Sequence, residues 1–130
     1  MSADVISVVQ RYLAEHGEDV AAAYVFGSTA RGTARPDSDV DVAILPASAR
    51  RGTLDSLHLD LEGELERLLG REVQLVVLDR APPDLVHRIL VDGVLVCDRD
   101  RSKRIAFEVR ARNEYFDILP MLERYRSRTG

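Results

Sequence analysis

The stretch Val25–Leu45, VFGSTARGTARPDSDVDVAIL, decides the fold. It opens and closes in short apolar runs that read as strands. Between them lie a Gly27-Ser28 turn, a polar loop around Pro36 and Asp37, and two carboxylates at alternate positions, Asp39 and Asp41. Alternate residues of a strand point to one side, so Asp39 and Asp41 share a face and Val40, Val42 and Ile44 share the other. Two like charges that close repel unless they are solvated or a divalent cation lies between them. Mg²⁺ takes one or two carboxylates and completes its shell with phosphate oxygens and water. The turn fits the other half of such a site. A glycine lets the backbone approach a phosphate, and amides opening a helical turn over Ser28–Arg31 would face an anion. The Ser28 hydroxyl can donate to the phosphates, and Arg31 can neutralise their charge. A lone D-x-D is usually two solvated acids and a lone Gly-Ser is usually a turn. Together, each after a strand, they point to phosphoryl or nucleotidyl transfer, which needs mainly positioning and charge neutralisation.

Working outward, residues 4–16 read as an amphipathic helix on Ile6, Val9 and Leu13, with Ser2 as its N-cap and Gly17 as its stop. Ala21–Phe26 and Val40–Leu45 are the strands of the central stretch, and Pro46–Gly52 is a loop. Leu54–Leu69 is a helix with Leu54, Leu57, Leu61, Leu65 and Leu68 on one stripe and Gly70 as its stop. Val73–Leu78 is a third strand. Pro82 and Pro83 open a helix to about Val91, and Asp92-Gly93 turns into a strand, Val94–Cys97. A last helix spans about Ser102–Arg126, with Ile105, Val109, Phe116, Leu119 and Leu122 as its apolar side, a bend at Pro120 and a frayed end. The expected class is α/β (α+β): one small mixed sheet flanked by helices. The length of 130 residues predicts a single domain, with a core over 1–100 and a C-terminal helix over 101–130.

Composition narrows the function. The net charge of −4 argues against direct nucleic-acid binding. Arg99, Arg101, Lys103, Arg104, Arg110 and Arg112 cluster late, but Asp98, Asp100, Glu108 and Glu114 interleave them, as on a solvated helix face. The single cysteine, Cys97, excludes an internal disulfide and suits a reducing cytosol as a buried structural thiol. No long apolar segment or leader is visible, so no membrane and a cytoplasmic protein are expected. His16, His58 and His87 lack metal-ligand spacing. The loose Arg-then-His spacings around them carry no ribonuclease reading, because the chain is not all-helical. Phe116 is expected in the core, while Tyr115 and Tyr125 are equally compatible with packing and with anchoring a partner.

The central motif, Gly27-Ser28, ten residues, then Asp39-x-Asp41, resembles that of the DNA polymerase β-like nucleotidyltransferases, and GSTARGTARPDSDVDVAIL resembles their minimal members (MNT). The resemblance extends to LLGREVQLVVLDRAPPDLVHRILVDGVLV and FEVRARNEYFDILPMLERY, and there it is to MntA-type antitoxins paired with HEPN-domain toxins. It implies a polymerase β-like fold and transfer of one or several AMP units from ATP to a tyrosine of the HEPN ribonuclease, which neutralises it. By the same resemblance Gly27 and Ser28 hold the triphosphate, Arg31 assists, and Asp39 and Asp41 are catalytic and bind Mg²⁺.

The chain departs from the family at one position. A third carboxylate is expected on the next strand, and this chain has Gln74, which supplies neither charge nor a base. Glu72 lies on the same face one pleat earlier, roughly 6–7 Å away, and Asp79 falls on the opposite face. Two readings follow: an adenylyltransferase antitoxin, or a catalytically weak or inactive fold that neutralises its toxin by binding alone. A weaker third, adenylyl transfer to a small molecule such as an aminoglycoside, lacks room for a second substrate domain.

Overall fold

The computed structural model describes residues 2–35, 38–48 and 51–129. The elements run α1 (Ser2–His16), β1 (Val20–Phe26), α2 (Ser28–Arg31), β2 (Val40–Pro46), α3 (Arg51–Leu69), β3 (Val73–Val77), α4 (Pro83–Asp92), β4 (Val94–Asp98) and α5 (Arg101–Thr129), with a 3-10 turn at Leu78–Arg80. The sheet order is β3-β2-β1-β4. The β2–β3 pair is parallel and the other two pairs are antiparallel. Among the described residues this is a mixed four-stranded sheet with five helices, the last of them long.

The period-2 pattern of β1 and β2 divides the core between the two sheet faces. Val20, Ala23 and Val25 join Val40, Val42 and Ile44 under α1 and α3, where Val5, Val9, Leu13, Leu61 and Leu65 meet them. Ala22, Tyr24, Ala43 and Leu45 line the other face with Val86 and Ile89 of α4 and Phe107 and Ala111 of α5. A register shift between Val20 and Ala22 puts Ala21 on that second face as well. Each fully buried leucine here contributes about 1.5–3 kcal/mol. The carboxylate side of β2 is therefore the α4–α5 side.

β3 is an edge strand, yet two of its amides are occupied by carboxylates of α3. Val73 N donates to Glu66 Oε2 (3.0 Å) and Leu75 N to Glu62 Oε2 (3.1 Å), both from α3. Such cover removes a template for unwanted strand pairing. Half of the late basic cluster is also spent on the fold. Arg99 donates to Leu13 O and Ala14 O at the open C-terminal end of α1. Lys103 reaches Ala47 O, and Arg104 bridges Asp98 and Glu108.

Several expectations are corrected. Ser2 lies inside α1 rather than capping it, and Arg51 and Gly52 belong to α3 rather than to a loop. Of the leucine stripe, Leu61 and Leu65 are core, Leu68 is 48% exposed and Leu69 packs in its place. Leu54, Leu57, Pro36 and Asp37 lie outside the described residues or side chains. Leu78 leaves β3 for the 3-10 turn, where it is buried. α5 runs to Thr129, beyond the expected end at Arg126. Cys97 is half-buried, and burial pushes its thiol up. The largest correction concerns α5. Ile105, Val109 and Phe116 are exposed, Phe116 at 56%, and the buried face is Phe107 and Ala111. The reason is an anchor beside Phe107: Tyr24 OH donates to Glu108 Oε2 at 2.7 Å, and Arg104 holds Glu108 Oε1 at 3.0 Å. That contact turns the Phe107–Ala111 side toward the sheet. Among the described residues, no helix is long and apolar enough to cross a membrane.

Candidate active site

The ladder brings three of the named residues to one end of the sheet. Asp41 pairs with Phe26 on β1 and with Gln74 on β3. Gly27 follows Phe26 directly, and Ser28 opens α2. Asp39 precedes β2, outside its ladder, and is exposed, whereas Asp41 is half-buried.

Gly27 is fixed by two constraints. Its backbone has φ 73° and ψ −149°, a region only glycine occupies without strain. An added Cβ would also lie 2.3 Å from Asp41 Oδ2. The Asp41 carboxylate thus rests directly against the Gly27 backbone. α2 is then a single helical turn, closed by Arg31 N to Gly27 O (3.1 Å) and by Thr33 N to Ser28 O (2.9 Å). Arg31, at its end, is exposed but near enough to act electrostatically on Asp41.

Burial raises the Asp41 pKa above the ordinary carboxylate range. The Asp39 charge raises it further, and Arg31 partly opposes this. The two acids therefore form an under-compensated pair. That donor set suits a hard divalent cation that also binds phosphate oxygens and water. Gln74 stands beside Asp41 in the parallel register, and it is exposed. Glu72 is exposed, and among the described residues no three His, Cys, Asp or Glu side chains group closely enough to hold a metal. Asp79 lies in the 3-10 turn beyond the other end of β3. The histidines are dispersed, with His58 3.3 Å from Glu62 and His87 stacked on Tyr115 at 3.7 Å.

Two residues of this region escaped the sequence reading. Thr29 in α2 is buried with no hydrogen-bond partner for Oγ1 among the described residues. No pattern in the sequence announces it. Arg71 donates to Ser38 O and Arg35 O in the loop before Asp39. It is visible in sequence only as a basic residue ahead of β3.

The raised Asp41 pKa has a consequence for stability. The folded state holds this proton more tightly than the unfolded chain does. Stability therefore falls as pH rises from the ordinary aspartate value through the folded one, and above that the full penalty persists. Asp41→Asn removes the charge while keeping the shape. It is expected to raise the thermal midpoint of the metal-free protein at neutral pH. The gain should vanish at about pH 3, below the ordinary aspartate pKa. Thermal melts at the two pH values measure it.

Comparison with known proteins agrees with this geometry. Residues 8–102 match the family model described as Polymerase beta, Nucleotidyltransferase. A candidate protein adenylyltransferase of Methanocaldococcus jannaschii is 35% identical over 82 residues, 63% of this chain and 83% of that protein. Among solved structures, a toxin–antitoxin with AMP-PNP has a TM-score of 0.78 at 21% identity, covering 95% of this chain and 97% of that one. A complex of tri-AMPylated Shewanella oneidensis HEPN toxin with MNT antitoxin has a TM-score of 0.73 at 19% identity, covering 99% and 98%. Nucleotidyl transfer is the general reaction of the matching family, and with residues 8–102 matched to that family, the chain belongs to the polymerase beta nucleotidyltransferases.

Proposed function

We propose that this chain is a cytoplasmic antitoxin that transfers AMP from ATP to a tyrosine of a HEPN-domain ribonuclease. The observation that carries the reading is the half-buried Asp41 carboxylate resting against Gly27, with the Ser28 turn and Asp39 beside it. The M. jannaschii relative and the two toxin–antitoxin likenesses support the same class of reaction. Neither a membrane nor a nucleic acid is part of the proposal.

In this reading Gly27 and Ser28 take the triphosphate, and Arg31 offsets its charge. Asp39 and Asp41 would hold Mg²⁺, which when bound neutralises the phosphate oxygens next to the reacting phosphorus. The tyrosine oxygen forms a bond to the α-phosphorus, the bond to the β-phosphate oxygen breaks, and pyrophosphate leaves. Gln74 cannot accept the hydroxyl proton, so that proton passes to solvent or to an acid of the partner. The partner also needs a surface. The exposed Ile105, Val109 and Phe116 of α5 and Val91 of α4 offer apolar and aromatic anchors of the type that dominates interfaces.

The test is to incubate the chain, its HEPN partner, ATP and Mg²⁺, and to weigh the partner intact. The expected result is a gain of one or more AMP units that is lost when Asp39 and Asp41 are both changed to alanine. No such gain would sink the enzymatic reading. Gln74 beside Asp41 favours the alternative, neutralisation by binding alone. In that case the doubly substituted chain still rescues growth.

A further inference from the structure

We propose that Arg71 is a positioning residue for Asp39, acting through the main chain of the preceding loop. This rests on the metal-site reading of Asp39 and Asp41 above and adds to it a residue with no contact to nucleotide or metal. Asp39 lies outside the β2 ladder, so strand pairing alone does not fix it. Arg71 supplies the missing constraint. Its Nε and Nη2 both donate to Ser38 O, at 3.0 and 2.6 Å, and Nη2 also donates to Arg35 O at 3.0 Å. Arg35 and Ser38 are also bonded to each other, Ser38 N donating to Arg35 O at 3.0 Å and Arg35 N to Ser38 Oγ at 2.9 Å. On the other side of Asp39, Val40 N donates to Glu72 O at 2.9 Å. Residues 71 and 72 thus grip the chain immediately before and after Asp39.

Arg71 is aimed by the end of α3. Gly70 has φ 64°, and its amide closes on Glu66 O at 2.9 Å, which turns the chain sharply into β3. The guanidinium fork matches two carbonyls at once, a geometry that an ammonium cannot reproduce. All three charge-assisted hydrogen bonds of Arg71 end on main-chain carbonyls of the segment that leads into Asp39. They are accounted for by that residue. An exposed carboxylate that must meet a metal within a few tenths of an ångström needs its backbone held, and residues that orient metal ligands typically carry about 10–100-fold of metal affinity.

The test uses the full chain, Mn²⁺ as the probe metal and a non-hydrolysable ATP analogue, with Mn²⁺ affinity read by electron paramagnetic resonance. Arg71→Met is expected to weaken Mn²⁺ binding about tenfold or more, and Arg71→Lys to recover part of that loss. In an Asp39→Ala background, Arg71→Met should change nothing further, because its effect passes through Asp39. The thermal midpoint of the metal-free protein reports folding independently. If Arg71→Met weakens binding equally with and without Asp39, or only in step with the thermal midpoint, Arg71 is merely structural and the proposal is overturned. If it leaves Mn²⁺ affinity unchanged while the wild type binds, only the positioning role falls. If the wild type itself fails to bind Mn²⁺ with nucleotide, the metal-site reading falls and takes this proposal with it.

Discussion

Gly27→Ala is expected to slow AMP transfer roughly 10²-fold and to destabilise the protein. Two separate costs add at this position. Alanine at φ 73°, ψ −149° occupies a backbone region that is essentially closed to it, at about 1–3 kcal/mol. Its Cβ would also sit 2.3 Å from Asp41 Oδ2, so the carboxylate must leave its place or the α2 turn must move. Either movement separates the α2 turn from the Asp41 carboxylate. A displacement near 1 Å costs roughly 10²-fold in a reaction that depends on positioning. Intact-mass measurement of the HEPN partner over time gives the rate, and a thermal melt gives the stability. The two costs can be separated. With Asp41 already changed to alanine, the nearest remaining atom to a Cβ on Gly27 is the residue 41 Cβ at 3.5 Å, an ordinary contact. The stability cost of Gly27→Ala should then shrink to its backbone part. A Gly27→Ala protein that transfers AMP at the wild-type rate would show that the Gly27–Asp41 contact has no part in the chemistry.

That contact also marks how far the sequence could be read. The glycine was visible as a residue that lets a phosphate approach, and the structure adds that it makes room for Asp41. Strand period placed Asp41 on a face with Asp39, Gln74 was singled out only through the family resemblance, and it is the parallel register that sets Gln74 opposite Asp41. Arg71 was not legible. A guanidinium bonded to carbonyls leaves no spacing rule, since any residue can supply a carbonyl. α5 misled for another reason. It carries apolar residues on two opposite sides, and helical spacing cannot say which side is covered. The choice is made by Tyr24, 84 residues from Glu108 in sequence, whose hydroxyl bonds that carboxylate. Burial and Glu108 hold the Tyr24 pKa well above that of an ordinary tyrosine, so the hydroxyl stays a donor over the working pH range.

Gln74→Asp is expected to raise the rate of AMP transfer at least about tenfold. Gln74 lies beside Asp41 in the parallel β2–β3 register and is exposed, so a carboxylate there needs no rearrangement to join the pair. It would add negative charge to the proposed Mg²⁺ site and an acceptor for the tyrosine proton. A positioned base contributes roughly 10²–10⁴-fold, and recovery of even part of that exceeds tenfold. Gln74→Glu, closer in length to the native side chain, reaches further from the strand, and its gain should be smaller. The gain carries a cost in the metal-free protein. Asp41 is already raised in pKa by burial and by Asp39, and a third acid adds repulsion of the same sign. Gln74→Asp should therefore lower the metal-free thermal midpoint at neutral pH, and Mg²⁺ should restore it. Parallel melts with and without Mg²⁺, beside a time course of partner mass, measure both effects. The pattern also separates the two readings of the protein. A native chain that adds AMP slowly and is accelerated by Gln74→Asp is a catalyst short of one carboxylate. A native chain that adds none, gains the activity with the substitution and yet neutralises its toxin throughout is a binding module that has kept the rest of the site.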